Sequence, residues 1–276
     1  MPTTLLKPRQ ASPLDGSQIQ AFHEVGWITR KALFTSAEVA RMRASFEDLE
    51  NFAVRLPGSG LYHDAQFVLT ERNSRQVIKR VVWAGGYQRY LLEVGKDPRL
   101  TVPCAQLLNS TAMDHLLNQA HFKRPGDGVM FDWHQDIQHR DKGNGTWTDV
   151  NGRGSFVQTL IVLDEMTPDN GPLKFMPGSP GWGRIQFDAP CDHSNCAPTQ
   201  SLYDCCEAGA VTIQAAPGDV LFFGPYAAHA SFPNTSDYYR RVLINGYAHP
   251  GANRFAYPGS GTGQRLLAPT GAGVTG

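Results

Sequence analysis

Side chains of the types that bind iron occur in this chain as a close pair and one distant residue. His134 and Asp136 are separated by a single residue, and His229 lies far downstream. Two histidines and one carboxylate can hold a non-haem Fe(II) ion on one face and leave its other face open for a co-substrate and O₂. We therefore predict that His134, Asp136 and His229 are the metal ligands and form the catalytic centre of an oxygenase.

An arginine follows the second histidine and provides a partner for a carboxylate-bearing co-substrate. Its planar guanidinium can bind a carboxylate through two parallel hydrogen bonds. In the extended segment RRVLINGYA, Arg240 shares the more apolar face with Val242 and Ile244, and Arg241 alternates to the other face. A buried arginine needs an anionic partner. We predict that Arg240 binds the distal carboxylate of 2-oxoglutarate. An internal ion pair with a protein carboxylate is the alternative.

Three further residues are candidates for contact with the same co-substrate. Ser231 lies two residues after His229 and can donate a hydroxyl hydrogen bond to the carboxylate. Gln158 and Thr159 lie on the segment SFVQTLIVL, which is apolar on both faces. The sequence therefore does not decide which of these two side chains, Gln158 or Thr159, reaches the site.

Local patterns place the predicted ligands at the ends of strands. The motif at 133–136, WHQD, lies in or just past a strand that starts near Val129. Side chains at alternate positions of a strand point the same way, so His134 and Asp136 can reach one metal while Gln135 faces elsewhere. His229 follows an apolar strand and precedes a Pro-Asn turn, a common place for functional residues.

The order of the predicted elements indicates the fold class. LDGSQIQAFHEVG predicts a helix, WITRKALF an extended segment and SAEVARMRASFEDLENFA a second helix that Ser36 can cap. From about residue 127, short β-rich runs alternate with turn residues, a pattern typical of sandwiches and barrels. We predict an α+β, mainly β fold.

A single domain of residues 1–276 is expected, because no internal repeat or linker divides the chain. Its expected parts are a flexible N-terminus at 1–14, a helical and strand part at 15–128 that packs on the core, a β core with the metal site at 129–250, and a Gly-rich tail at 251–276.

Composition restricts the partners that we expect. Lys+Arg and Asp+Glu are both 25, so the formal net charge is +0 and no basic surface for nucleic acid is indicated. No apolar run approaches the roughly 18 residues of a membrane span, and the first residues lack the apolar stretch of a signal peptide. We expect a cytoplasmic protein, a monomer or homodimer, that binds a small molecule and neither nucleic acid nor membrane.

The cysteines do not form an obvious disulfide framework. Their number is odd and two are adjacent, which favours free thiols on a loop. A zinc site between residues 191 and 206 is the alternative, although the spacing matches no familiar pattern. The five are Cys104, Cys191, Cys196, Cys205 and Cys206.

Over about residues 15–250 the chain resembles the phytanoyl-CoA dioxygenase family of Fe(II)/2-oxoglutarate-dependent oxygenases. The order of several short motifs carries the resemblance. They are WHQD at 133–136, LDEMTPDNGPL at 163–173, MPGS at 176–179, PGDV at 217–220, HAS at 229–231, NTS at 234–236 and Arg240-Arg241.

The resemblance implies a double-stranded β-helix, or jelly-roll, with helices packed outside. It also implies that Fe(II) is the cofactor and that 2-oxoglutarate and O₂ are the co-substrates. His134, Asp136 and His229 match the family's metal ligands, and Arg240 and Ser231 match its co-substrate residues. Pro180 departs from the family, which commonly has a histidine after PGS. Halogenating relatives carry Ala or Gly at the position of Asp136, so halogenation is not expected.

The function predicted from these observations is a dioxygenase that hydroxylates a small or mid-sized metabolite in secondary metabolism, with succinate and CO₂ as co-products. Oxidative epimerisation, cyclisation, desaturation and epoxidation with the same cofactors stay open. A cupin-like metal-dependent isomerase or binding protein is the alternative of another class. Residues 55–75, 138–155 and 181–208 are expected to border the substrate pocket, and no basic cluster for the phosphates of a CoA thioester is evident.

Overall fold

Antiparallel β-strands dominate the computed structural model, which describes residues 13–72, 74–140, 143–191, 200–257, 259 and 263–268. The strands are β1 (Trp27–Arg30), β2 (Gly60–Tyr62), β3 (Ala65–Arg72), β4 (Arg75–Val82), β5 (Ala112–Lys123), β6 (Phe131–His134), β7 (Phe156–Val162), β8 (Lys174–Phe175), β9 (Val211–Thr212), β10 (Val220–Phe223), β11 (His229–Ser231), β12 (Arg240–Ala248) and β13 (Arg265–Leu267).

Helices are concentrated in the first half of the chain. They are α1 (Gly16–Val25), α2 (Ser36–Ala53), α3 (Arg89–Val94), α4 (Pro98–Leu108), α5 (Ile137–Arg140) and α6 (Leu202–Gly209). None of the helices within the described ranges is long and apolar enough to cross a membrane.

The start of α2 shows why this segment is helical. The Thr35 hydroxyl accepts a hydrogen bond from the Glu38 amide, and the Glu38 carboxylate accepts one from the Thr35 amide at 2.8 Å. This reciprocal capping box pairs two amides that the helix itself leaves without acceptors. The predicted cap was wrong by one residue: Ser36 is the first residue of the helix, because the Thr35 side chain reaches the amide three residues ahead.

The strands form two sheets. Among the described residues, the larger has nine strands in the order β1-β10-β7-β12-β5-β4-β3-β2, and β13 pairs with β5. The smaller has the order β6-β11-β8-β9. The predicted α+β, mainly β fold with a jelly-roll core and flanking helices is confirmed.

Side-chain alternation gives the larger sheet two different faces. On one face, Val157, Ile161 and Leu243 pack in a cluster with residues of the N-terminal helices. On the other face, Leu160 and Val242 belong to a second cluster that includes residues of the smaller sheet. Since side chains alternate along each strand, the residues on the second face are those that can line a site between the sheets.

The N-terminal part contributes more to the core than we expected. Residues 15–128 supply strands of the larger sheet itself. Within it, β1 pairs with β10 and β5 pairs with β12. The Gly-rich tail also includes a paired strand, since Arg265–Leu267 adds to β5. Most of residues 1–14 and parts of the tail lie outside the described residues.

The prediction of free cysteines was wrong for two of them. Cys191 and Cys205 are disulfide-bonded, whereas Cys104 and Cys206 are free and buried. Cys196 lies outside the described residues. Sulfur atoms in a disulfide are not thiolates, so Cys191 and Cys205 are not ligands of the alternative zinc site.

Pairing of the backbone on either side of residues 192–199 explains the position of Cys191. Its amide donates to the Gln200 carbonyl at 2.8 Å, and the Leu202 amide donates to the Ala189 carbonyl at 3.0 Å. These bonds hold the residues up to Cys191 against the start of α6, the helix that carries Cys205. The spacing of the cysteines in the sequence does not predict these backbone hydrogen bonds.

Candidate metal and co-substrate site

The three predicted metal ligands converge where β6 meets β11. His134 is the last residue of β6 and lies directly opposite His229, the first residue of β11. The Nε2 atoms of His134 and His229 are 3.8 and 3.6 Å from the two Asp136 oxygens. Ligand atoms about 2 Å from a common ion have separations of this order. A single metal ion between the three side chains therefore fits their geometry.

The strand-alternation argument for Asp136 needs a correction. Strand β6 ends at His134, so Asp136 belongs to the turn that leads into α5 and not to the strand. Gln135 faces away from the site as predicted, because its side-chain amide donates to the carbonyls of Gly183 and Tyr226 at 2.7 and 2.8 Å. These bonds hold the turn in place and direct its two neighbours towards the metal position.

Backbone carbonyls orient both imidazoles. The Nδ1 atom of His134 lies 2.6 Å from the Asp132 carbonyl oxygen, and that of His229 lies 2.9 Å from the Ala227 carbonyl oxygen. A carbonyl can only accept, so Nδ1 carries the proton and the Nε2 lone pair is left for a metal. In both histidines the hydrogen bond thus selects the tautomer that a metal requires.

The electrostatics of the site suit metal binding. Burial, followed by the nearby His134, lowers the pKa of His229 to about 4, so its imidazole is neutral at pH 7. Burial by itself would raise the pKa of the Asp136 carboxyl, but the two imidazoles of His229 and His134 hold it below its usual value. Two imidazoles and one carboxylate are the donor set typical of non-haem Fe(II).

Within the described part of the chain, these three residues are the one group of three or more His, Cys, Asp and Glu side chains arranged to hold a metal. They border a cavity of about 320 Å³ between the two sheets. Arg240, Val242 and Ile244 of β12 line the same cavity, in agreement with the alternation expected from the sequence.

Arg240 is a buried cation without a carboxylate partner among the described residues. It is 2% exposed, and its Nε and Nη2 atoms donate to the Gly171 carbonyl at 3.0 and 2.7 Å. Nη2 also donates to the Ser231 hydroxyl oxygen at 2.7 Å. Burial lowers the pKa of Arg240 to about 10, which still leaves the side chain charged at pH 7. A buried guanidinium whose acceptors are all neutral is suited to bind an anionic ligand.

Among the described residues, no carboxylate forms the internal ion pair that was the alternative explanation of Arg240. The nearby carboxylate, Asp164, is bound by Arg241 on the opposite face: Arg241 Nε is 2.8 Å from Asp164 Oδ2, and Nη2 is 3.0 Å from Oδ1. The two adjacent arginines thus differ in their surroundings, because strand alternation sends them to opposite sides of the larger sheet.

Lys123 is a buried lysine beside Arg240 that the sequence reasoning missed. It is 1% exposed and lies opposite Arg240 in the pairing of β5 with β12. Its Nζ donates to the Ser231 carbonyl at 2.7 Å, to the Ser231 hydroxyl and to the Phe232 carbonyl. Burial, followed by the charge of Arg240, lowers the pKa of Lys123 to about 5.

A sequence signal for Lys123 did exist. Polar residues occupy every second position near the end of the apolar strand β5: Gln119, His121 and Lys123. Gln119 and His121 line the cavity, so this alternation marks one polar face directed towards the site.

The structure distinguishes Gln158 from Thr159. Gln158 lines the cavity, and its amide donates to the Asp136 carboxylate. Thr159 points to the other face, where its hydroxyl is 3.4 Å from the Asn245 carbonyl oxygen. Of the two alternatives, Gln158 is therefore the residue beside the site, and its contact in this structure is with a predicted metal ligand.

The expected pocket borders agree with the structure only in part. Gln66, from the first of the three expected segments, lines the cavity, as do His139 and Arg140 from the second. No described residue of the third segment, 181–208, lines it. Arg80 and Tyr257 line the cavity but were missed. Pro180 lies away from this cavity and packs against Gly26, so the departure from PGS-His does not reach the metal ligands.

Comparisons with known proteins agree with this arrangement. A profile of the family described as phytanoyl-CoA dioxygenase (PhyH) matches residues 22–242. A methylphosphonate hydroxylase from Gimesia maris is 26% identical over 234 residues, covering 85% of this chain and 80% of that protein. An ectoine dioxygenase from Sphingopyxis alaskensis is 26% identical over 170 residues, covering 61% of this chain and 50% of that protein. The chain thus matches only half the length of this second relative.

A solved structure shares the fold. The crystal structure of EctD from S. alaskensis with 2-oxoglutarate and 5-hydroxyectoine superimposes with a TM-score of 0.69 at 22% identity, covering 94% of this chain and 84% of that one. The family match spans most of the chain and includes all three candidate ligands. This chain therefore belongs to the phytanoyl-CoA dioxygenase family and is a non-haem Fe(II)/2-oxoglutarate-dependent dioxygenase.

Proposed function

We propose that this enzyme hydroxylates a small or mid-sized metabolite of secondary metabolism, with Fe(II) held by His134, Asp136 and His229. When bound, Fe(II) together with 2-oxoglutarate supplies the activation of O₂ that oxidises an unactivated carbon, with succinate and CO₂ as co-products. The relatives named above are described as acting on small molecules, which supports a substrate of this size.

The residues of the chain have separate tasks in this proposal. The two imidazoles, fixed by carbonyls at Nδ1, present Nε2 to the metal, and Asp136 provides the charge. Arg240 binds the distal carboxylate of 2-oxoglutarate, and the Ser231 hydroxyl orients the guanidinium. Gln158 holds the Asp136 carboxylate, and the apolar side chains of Leu160, Val242 and Ile244 limit the access of water to the cavity.

The observation that carries this proposal is the position of Arg240. A guanidinium that is 2% exposed, that has no carboxylate partner among the described residues and that lines the cavity of the His-Asp-His cluster is matched to an anionic co-substrate. A cupin-like isomerase or binding protein would need the metal cluster but would have no use for this buried cation.

Turnover of 2-oxoglutarate is the direct test. Purified enzyme with Fe(II), 2-oxoglutarate and O₂ should form succinate, and a metabolite panel that includes methylphosphonate, ectoine and L-proline should contain compounds that accelerate its formation. A product heavier by one oxygen atom indicates hydroxylation or epoxidation. An unchanged mass indicates epimerisation, and a loss of two hydrogens indicates desaturation or cyclisation. Metal binding without any succinate would contradict the proposal and support the isomerase or binding-protein alternative.

A further inference from the structure

Two more arginines line the cavity of the metal cluster. Arg80 lies on β4, and Arg140 is the last residue of α5, the short helix that follows Asp136. The two residues are far apart in sequence, which is why no basic cluster was evident there. The fold brings their guanidinium groups into one cavity.

Arg80 is placed in the cavity by the register of three strands. It lies opposite His121 of β5, which in turn lies opposite Val242 of β12. These three side chains therefore share the face of the larger sheet that carries Arg240. The Nε atom of Arg80 is buried and has no hydrogen-bond partner, a costly arrangement for a charged donor unless a ligand completes it.

Arg140 is held in place by aromatic residues. Its Nη1 donates to the Tyr257 hydroxyl, and its guanidinium carbon lies 5.2 and 5.6 Å from the ring centres of Tyr257 and Phe156. These contacts fix the side chain without neutralising it. Its Nε atom is also buried without a hydrogen-bond partner.

Neither arginine has a carboxylate within ion-pair distance among the described residues. Burial, followed by the charge of Arg140, lowers the pKa of Arg80. The charge of the Asp136 carboxylate acts on this pKa in the opposite direction. Two cations that line one cavity and have no direct ion pair among the described residues are stabilised when an anion binds between them.

The charges that line the cavity are unbalanced. Three arginines face it, and Asp136 is its one carboxylate among the described residues. A divalent metal bound to the Asp136 carboxylate would leave a net charge of one positive unit. The two negative charges of 2-oxoglutarate would balance this unit and the positive charge of Arg240. The positive charges of Arg80 and Arg140 are left over, next to the metal cluster.

We infer that the substrate carries a compact anionic group, a carboxylate or a phosphonate, which Arg80 and Arg140 bind together beside the metal. This inference rests on the proposed function and names the class of its substrate. The anion would hold the molecule by one end, so the carbon that is oxidised lies within a few bonds of the anionic group. Uncharged metabolites and long acyl chains without an anionic end close to the reacting carbon do not fit this arrangement.

The test is a calorimetric titration of the anaerobic Fe(II)- and 2-oxoglutarate-loaded enzyme with methylphosphonate and, separately, with propionate. Saturating 2-oxoglutarate occupies Arg240, so the remaining binding reports on the other two arginines. The variants are Arg80→Gln and Arg140→Gln, with Arg80→Lys and Arg140→Lys to retain the charge. Arg89→Gln is the matched control, because Arg89 is exposed at the start of α3 and lies outside the cavity.

We expect at least one of the two anions to bind the wild-type enzyme. Its affinity should fall by about tenfold or more in each glutamine variant, the effect of losing a charge-assisted hydrogen bond. The lysine variants should retain part of the affinity, and Arg89→Gln should retain all of it. Iron content and the dissociation constant of 2-oxoglutarate should stay the same throughout.

The inference is contradicted if neither anion binds the wild-type enzyme, or if both glutamine variants bind as the wild type does. The anion that binds more tightly identifies the group as phosphonate or carboxylate. The proposed function has its own readout in the first step, because a wild-type protein that does not bind 2-oxoglutarate would contradict that proposal. In that case the anion titration is repeated on the metal-loaded protein alone.

Discussion

Lys123 and Arg240 lie opposite each other on β5 and β12, and both donate a hydrogen bond to the hydroxyl oxygen of Ser231. Burial lowers the pKa of both side chains, and the positive charge of Arg240 lowers that of Lys123 further. An anion beside the pair would be stabilised by the Arg240 guanidinium. The pair thus favours binding of a dicarboxylate at this end of the cavity.

Exchange of the two adjacent arginines for lysine should separate their roles. Arg240→Lys keeps a charge but loses the planar guanidinium, so the affinity for 2-oxoglutarate should fall by about 1–3 kcal/mol. Arg241→Lys should leave that affinity unchanged and instead lower the free energy of unfolding, because Arg241 pairs with Asp164 on the helix-covered face. Anaerobic titration with 2-oxoglutarate and urea unfolding measure the two effects. The reverse pattern would contradict the assignment of Arg240.

Lys123→Met tests whether this buried lysine affects binding of the co-substrate. Loss of its bonds to Ser231 frees the hydroxyl that positions Arg240, so we expect the affinity for 2-oxoglutarate to fall by about 1 kcal/mol or more. Iron binding should not change. Lys96→Met, which alters a lysine outside the cavity paired with Glu93, is the control. Equal 2-oxoglutarate affinity in the two variants would assign Lys123 a structural role only.

Fe(II) binding should depend on each member of the metal cluster. In His134→Ala and His229→Ala an Nε2 ligand is lost, and anaerobic iron titration should show sub-stoichiometric or much weaker binding. His249→Ala provides the control, since His249 contacts a backbone carbonyl at Pro250 away from the cluster. Unchanged iron affinity in both ligand variants would rule out the assignment.

Oxygenation without halogenation is expected, because Asp136, as the proposed carboxylate ligand, would take the coordination position that a halide needs. Turnover in excess chloride should give succinate and an oxygenated or oxidatively rearranged product, as measured by mass spectrometry. A chlorinated main product would overturn this expectation. Asp136→Gly should lose iron or activity more readily than it gains halogenation, since Gln158 and the two imidazoles are arranged around a carboxylate.

The ion pair of Glu38 and Arg99 should make stability depend on pH. Burial by itself would raise the pKa of Glu38, but hydrogen bonds from Arg99 and Thr35 lower it to about 2 from 4.5. A carboxyl with a depressed pKa stabilises the fold above pH 4.5 and loses this effect as the pH falls towards 2. Urea unfolding of Glu38→Gln should therefore show less loss of stability on acidification than the wild type.

Glu71→Gln is the matched control for that experiment, because Glu71 is exposed near the end of β3. It should lose stability on acidification as the wild type does. A Glu38→Gln variant whose stability falls as steeply as that of the wild type between about pH 5 and pH 2 would contradict the role given to the ion pair.

The sequence by itself determined the residue types of the site and the face on which Arg240 lies. A His-x-Asp pair, a later histidine and an arginine on the more apolar face of a strand are local patterns, and each follows from spacing along the chain. The order of helices and short strands likewise determined the fold class. Strand alternation separated Arg240 from Arg241 because their neighbours differ in polarity.

Only the tertiary structure decided which distant residues meet. The choice of Gln158 over Thr159 required knowing which face of β7 points to the cavity, since both faces are apolar. Lys123 and Arg80 enter the site through strand register, which is set by pairing between segments far apart in sequence. The disulfide-bonded state of Cys191 and Cys205 likewise was not evident from their spacing in the sequence. Long-range pairing leaves little trace in local composition, and for that reason the charge balance of the cavity became visible only in the folded chain.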